Sequence, residues 1–230
     1  MDFVIGLVVN LVCGLLAYWK KTVSVSGLWS GIVIGTLLYG WSGPQGFCLL
    51  VFFFILASLF TRQGSRRKKA MGIAQPHEGR RGAREALANC LPGLFFAFLY
   101  WRERGPLFQI GLVSSFAAAL ADTTATELGQ LYGRRFFRIP GFQRVPIGTT
   151  GACSLEGTWF GILAAAAMGT LGWLLGFLPF IGIAWVTLGA TAGFLGESLI
   201  SHILLNHEAR NFMGSLLGGI FGILFMRIFS

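Results

Sequence analysis

The chain has 230 residues, of which 54% are hydrophobic and only 12% charged, with a formal net charge of +9 and a mean hydropathy of +0.69. A soluble domain carries roughly 25% charged residues, so these proportions exclude a soluble globular protein. They turn the positive charge from a nucleic-acid signal into one of membrane topology.

In a bilayer only helices or closed barrels satisfy every backbone N–H and C=O. A barrel would alternate apolar and polar residues over segments of about ten. Residues 22–61 and 157–196 are instead two runs of 40 residues without a single Asp, Glu, Lys or Arg. Each run is long enough for two crossings at about 20 residues per helix. The expected fold is therefore all-α: a polytopic integral membrane helical bundle of six to eight transmembrane helices, eight preferred, in one domain over 1–230.

The expected spans are 3–19, 24–40, 46–60, 86–101, 107–125, 157–176, 180–203 and 211–229. The first carries its basic residues, Lys20 and Lys21, after the apolar run, and reads as a retained helix and not a cleaved signal peptide. Glycines recur at four-residue spacing in the second span (Gly27, Gly31, Gly35), at the start of the sixth (Gly157, Gly161) and in the last (Gly214, Gly218, Gly222). Small residues so spaced let membrane helices approach closely, and packing suffices to explain them. The four cysteines, Cys13, Cys48, Cys90 and Cys153, form no CxxC pair and read as buried small residues.

Eight spans put 20–21, 62–85, 126–156 and 204–210 on one side. That side then holds fifteen Lys and Arg, against Arg102, Arg104 and Arg227 on the other. Basic loops stay in the cytoplasm, so the loops at 62–85 and 126–156 are expected there, with both termini outside. The membrane is expected to be a bacterial inner (plasma) membrane or its equivalent.

Three polar elements fall on that face. In the first loop, Arg66, Arg67 and Lys68 are explained by anionic headgroups. Arg80, Arg81 and Arg84 stand before the fourth span, neighbours if helical. Their forked donors suit phosphate oxygens, although headgroup anchoring explains them nearly as well. Asn89 follows inside an apolar run, where an amide needs a partner.

The second element, ALADTTATELG, sets Asp122 and Glu127 among Thr123, Thr124 and Thr126 at the end of the fifth span. Carboxylates near hydrocarbon mark ion, proton or substrate sites. Five residues apart, they point about 140° apart on a regular helix, so either the helix unwinds or the acids take different roles. The third element, RVPIGTTGACSLEGT, offers a turn at Gly148, Thr149, Thr150 and Gly151 able to present backbone N–H groups to an anion. Ser154 and Thr158 add hydroxyls at the next helix N-terminus. It lacks the P-loop pattern, and a plain loop explains it equally well alone.

Together, cationic donors, backbone amides and carboxylates are the parts of a phosphoryl-transfer site, with the carboxylates as Mg²⁺ ligands. A site at the membrane edge can meet a water-soluble nucleotide and a lipid phosphate. Glu197, ahead of His202 and Asn206-His207-Glu208, is either a buried pair partner or a functional group lining the interior with Ser201 and Asn206. The histidines lack zinc spacing.

At these motifs the chain resembles the domain-of-unknown-function family 92, which includes plant and cyanobacterial phytyl phosphate kinases. ALADTTATELG is similar to the family's Ala-Asp-Thr, small residue, Ser-Glu-Leu/Ile-Gly pattern, with Thr126 where serine is usual. VPIGTTGACSLEGT resembles its Val-Pro-x-Gly-Thr-x-Gly-Gly-Val-Ser-x-x-Gly-Thr segment, with Ala152 replacing the second of the paired glycines. The basic loop is similar at Lys69, Gly72, the Arg80–Arg84 cluster and Asn89.

The resemblance implies a kinase that uses CTP, or another nucleoside triphosphate, to convert an isoprenoid monophosphate to its diphosphate. Asp122 and Glu127 would hold Mg²⁺ or position the attacking phosphate. Lys69, Arg80, Arg81, Arg84 and Arg144 would neutralise phosphates, while Gly148–Ser154 would cradle one. The partners implied are the bilayer, the isoprenoid phosphate and the nucleotide, without nucleic acid, and homo-oligomers are compatible. A CTP-dependent lipid cytidylyltransferase, a transporter or flippase of a phosphorylated lipid, and a structural scaffold are the competing readings.

Overall fold

The computed structural model describes residues 2–75, 79–201 and 206–229. Its helices are α1 (Asp2–Trp19), α2 (Val25–Arg62), α3 (Ser65–Ala70), α4 (Ala83–Glu103), α5 (Pro106–Tyr132), α6 (Leu155–Leu174), α7 (Gly182–Ile200) and α8 (His207–Phe229). All but α3 and α4 are long and apolar enough to cross a membrane.

The second and third expected spans are one helix, α2, folded double. Straight, its 38 residues would reach about 57 Å at 1.5 Å per residue, nearly twice the roughly 30 Å hydrocarbon core. Gly43 instead takes φ +69°, ψ −170°, a conformation open to glycine, and Pro44 supplies no N–H to continue the ladder. The arms return to the same end of the bundle. Arg62 Nη2 donates to the carbonyls of Lys20 and Lys21 at 3.0 and 2.8 Å, while the amide of Ser24, one residue before α2, donates to the Arg81 carbonyl at 3.1 Å. With α2 counted as two arms, the described residues hold seven candidate crossings, and the 21-residue α4 matches them in length but not in apolarity.

The middle of the bundle is α5, packed against α2, α4, α6, α7 and α8 and buried without interruption from Ile110 to Ala121. The α7–α8 contact is made backbone to backbone: a Cβ at Gly193 would lie 2.6 Å from Gly218 Cα. The glycine spacing of the last span is thus a packing seam, as its period implies. Cys90 is buried, whereas Cys13 and Cys48 are exposed, so for those two the expected burial is corrected: they sit on the outside of the bundle.

The polar connections gather at one end. Gln63 Nε2 donates to Tyr132 Oη at 3.0 Å and Arg67 Nη1 to the Leu131 carbonyl at 3.2 Å, which fastens the first loop to the last turn of α5. The second loop begins later than expected, because α5 continues to Tyr132 and takes Thr126 and Glu127 into the helix. What remains of it folds into a small antiparallel sheet of order β2-β1-β3, with β1 Phe137–Arg138, β2 Gln143–Arg144 and β3 Ala152–Cys153. Ala152 lies in β3, and the positive-φ positions of the turn fall at Gly148 and Gly151 instead.

Candidate functional site

Because α5 is continuous, Asp122 and Glu127 project to different neighbours, about 140° apart. Glu127 is 1% exposed and pairs with Lys68 of α3. Lys68 is equally buried and also donates to the Phe60 carbonyl at 3.3 Å. This corrects the assignment of Arg66–Lys68 to headgroups: Arg66 is exposed, but Arg67 caps α5 and Lys68 points inward.

Asp122 faces the other way. Its carboxyl adjoins that of Glu197 on α7 and lies in electrostatic reach of His207 and Arg210 in the first turn of α8. Arg210 Nε stands 3.5 Å from Glu197 Oε1, and Glu197 Oε2 is buried without a hydrogen-bond partner. Asn206, expected in the interior, is exposed: its side-chain oxygen accepts from the Glu208 amide at 2.9 Å and caps α8. Capping sets the first turn of α8, and with it Arg210 beside Glu197 and His207 within reach of Asp122. His202 lies outside the described residues.

The glycine turn reaches the same place. Gly148 and Gly151 hold φ of +84° and +72°, and Gly151 closes on the Ser201 hydroxyl at the end of α7. The Cys153 thiol donates to Ser198 Oγ at 3.2 Å. Burial pushes that thiol above its ordinary range; the Ser198 contact opposes the rise, and the Asp122 and Glu197 carboxyls add to it. Several expected ligand groups serve the backbone instead. The amides of Thr149 and Ala152 close turns onto Pro146 and Thr149. Ser154 Oγ caps α6 by accepting from the Gly157 amide at 3.0 Å. The hydroxyls of Thr123, Thr149 and Thr158 donate to the carbonyls of Ala119, Pro146 and Ser154.

The arginines divide. Helix α4 starts at Ala83, so Arg80 and Arg81 precede it in extended chain and are not helical neighbours of Arg84. The Arg81 amide donates to the Thr22 carbonyl at 3.0 Å, and a parallel bridge to Val23 turns its side chain inward. Arg80 and Arg84 stay exposed and line a polar cavity of about 900 Å³ with Ser24, Ser26, His207 and Glu208. His207, which lines that cavity, is also within electrostatic reach of Asp122. Asn89 is buried, donating to the Glu85 carbonyl at 2.9 Å, while Lys69 and Arg144 are exposed on α3 and β2.

Sequence reasoning missed Lys68 and Arg210 and left Glu197 between two roles. Only the solitary position of Glu197 in an apolar span pointed to it. Among the described residues, no group of three or more His, Cys, Asp or Glu is placed to hold a metal ion.

The family described as integral membrane protein DUF92 matches residues 8–210. The chloroplast protein VTE6 of Arabidopsis thaliana is 34% identical over 87% of this chain and 64% of its own length; the chain thus spans less than two thirds of that relative. Two uncharacterized membrane proteins, of Synechocystis and of Methanocaldococcus jannaschii, are each 34% identical, over 89% and 97% of this chain and 83% and 96% of their own lengths. No solved structure matches. The chain belongs to the DUF92 family of integral membrane proteins.

Proposed function

We propose that this chain is a membrane-embedded kinase that moves the terminal phosphoryl group of a nucleoside triphosphate, CTP in the first instance, to an isoprenoid monophosphate. The observation that carries the reading is that His207, which lines the Arg80–Arg84 cavity, lies within electrostatic reach of Asp122, whose carboxyl adjoins that of Glu197. The cavity's volume falls within the roughly 300–1,000 Å³ of ligand pockets. The likeness of ALADTTATELG and VPIGTTGACSLEGT to the phytyl phosphate kinase motifs supports the same chemistry.

An isoprenoid phosphate oxygen attacks the γ-phosphorus. The new P–O bond forms as the bond from that phosphorus to the β,γ-bridging oxygen breaks, and the nucleoside diphosphate leaves with the electron pair. The attacking group is already an anion, so positioning and charge neutralisation carry the rate. Arg80 and Arg84 offer the donors for the nucleotide phosphates, and Arg81 for the acceptor. Mg²⁺ is normally held by one or two carboxylates plus substrate phosphates. Asp122 and Glu197, whose carboxyls adjoin, fit that pattern better than Asp122 and Glu127, because Glu127 faces Lys68 instead. The ion would neutralise charge on the phosphates. Glu127 and Lys68 then act as positioning residues, and the turn at Gly148–Gly151 closes the site over α7. By the excess of basic residues at this end, it faces the cytoplasm of a bacterial plasma membrane or its equivalent.

Purified protein incubated with Mg²⁺, CTP labelled at the α- or γ-phosphate, and phytyl, geranylgeranyl or farnesyl monophosphate tests the reading. Transfer of the γ-label to lipid diphosphate with release of CDP is expected. Transfer of the α-label with release of pyrophosphate would make the chain a cytidylyltransferase. Lipid phosphate crossing proteoliposomes without nucleotide turnover would make it a flippase, and neither outcome would leave a scaffold.

A further inference from the structure

A second cavity, of about 580 Å³, lies between α1, both arms of α2 and α4. Along α1 it runs from Lys20 to Asn10, about 15 Å of helix, and its walls are almost wholly apolar. On its rim Leu16, Ile55 and Leu59 are 54%, 49% and 56% exposed, so it opens sideways toward hydrocarbon between α1 and the second arm of α2. At its polar end stand Lys20, Arg62, Asn89 and Arg81. The Arg81 guanidinium is nine-tenths buried and sits 5.8 Å from the Phe53 ring. One nitrogen contacts Glu85 at 3.3 Å, and Nε has no partner. A buried cationic donor left unmatched is costly unless an anion meets it. Glu85 lines both this groove and the Arg80–Arg84 cavity, so the groove ends where the nucleotide phosphates are proposed to lie.

We infer that this groove is the isoprenoid site: the chain of the acceptor enters laterally from the bilayer, its phosphate rests on Arg81, and the depth of the groove selects chain length. This rests on the kinase reading for the identity of the acceptor. The groove also assigns a role to Gly31, whose four-residue spacing implied packing. A Cβ there meets nothing within 4 Å, and Gly31 lines the groove six residues into α2, about 9 Å below its polar end. It is a position where bulk enters the groove without striking the backbone.

The test uses the full chain in proteoliposomes, with a geranylgeranyl monophosphate bearing a diazirine at the far end of its tail. Photolabel is expected on α1 and the second arm of α2, competed by geranylgeranyl monophosphate and not by phosphatidic acid. Gly31→Phe is expected to lower kcat/KM for geranylgeranyl relative to geranyl monophosphate by about tenfold or more. Label confined to α6–α8, equal competition by phosphatidic acid, or an unchanged chain-length ratio in a folded, active Gly31→Phe would overturn the groove and leave the kinase standing. Competed label in the groove without phosphoryl transfer to any prenyl phosphate would do the reverse.

Discussion

Lys68 and Glu127 form an ion pair whose side chains are 1% and 2% exposed, and it fastens the first polar loop to the central helix. Removing one member of a buried pair leaves an uncompensated charge and costs about 3–5 kcal/mol, whereas replacing both by apolar residues is often neutral. Lys68→Met should therefore lower the Tm in detergent sharply, and Lys68→Met with Glu127→Leu should recover most of it. A double variant less stable than the single would show that the pair is not what ties α3 to α5. Turnover in the double variant would also separate Glu127 from metal binding, since no carboxylate would remain at that position.

Asp122 and Glu197 carry the opposite expectation. Asp122→Asn or Glu197→Gln should reduce turnover on the order of a hundredfold or more, the scale seen when a group stabilising transition-state charge is lost. The helical signal and Tm should change little. Arg66→Ala should leave activity near wild type, because Arg66 is exposed on the far side of α3 from Lys68. Wild-type rates in Asp122→Asn would remove that carboxylate from the mechanism.

Helix positions were legible because apolar run length is a one-dimensional signal. The hairpin at Gly43 was legible too, because the expected spans 24–40 and 46–60 part there and Pro44 marks the break. The 140° offset of Asp122 and Glu127 was readable from helical geometry alone, but it left open whether the helix unwinds or the acids part, and both were expected to hold Mg²⁺. Their partners, Glu197 and Lys68, lie 75 and 59 residues away and depend on how α7 and α3 dock. Local signals misled most at the hydroxyls. Ser154, Thr123 and Thr158 look like ligand groups in the motif, yet capping and back-bonding to the helix satisfy them first.

The α7–α8 seam supplies a stability test with a functional readout. Gly193→Leu places a side chain where backbone already sits 2.6 Å away. Overpacking costs about 1–3 kcal/mol when side chains can adjust, and here backbone must move. Glu197 is one turn from Gly193 on α7, so separating the helices should also displace it from Arg210 and lower activity. Gly31→Ala, with open space around its Cβ, should leave Tm within experimental error. Equal Tm losses in the two variants would mean the seam contributes nothing particular.

Cys153 reports whether the glycine turn truly sits over the acids. Alkylation proceeds through the thiolate, and burial together with Asp122 and Glu197 raises the pKa of this thiol. Its reaction with N-ethylmaleimide, followed by mass spectrometry of the Cys153 peptide, should be slower in the folded protein than in the denatured chain at pH 8. The rate should climb with pH beyond the ordinary thiol pKa of about 8.5, as deprotonation is delayed. Asp122→Asn and Glu197→Gln each remove a negative charge facing the sulfur, so each should lower its pKa and speed labelling several-fold at fixed pH. Glu127→Gln, whose carboxyl faces Lys68 instead, should not. Identical rates in all three variants would place the turn away from Asp122 and Glu197 and dissolve the convergence on which the site is built.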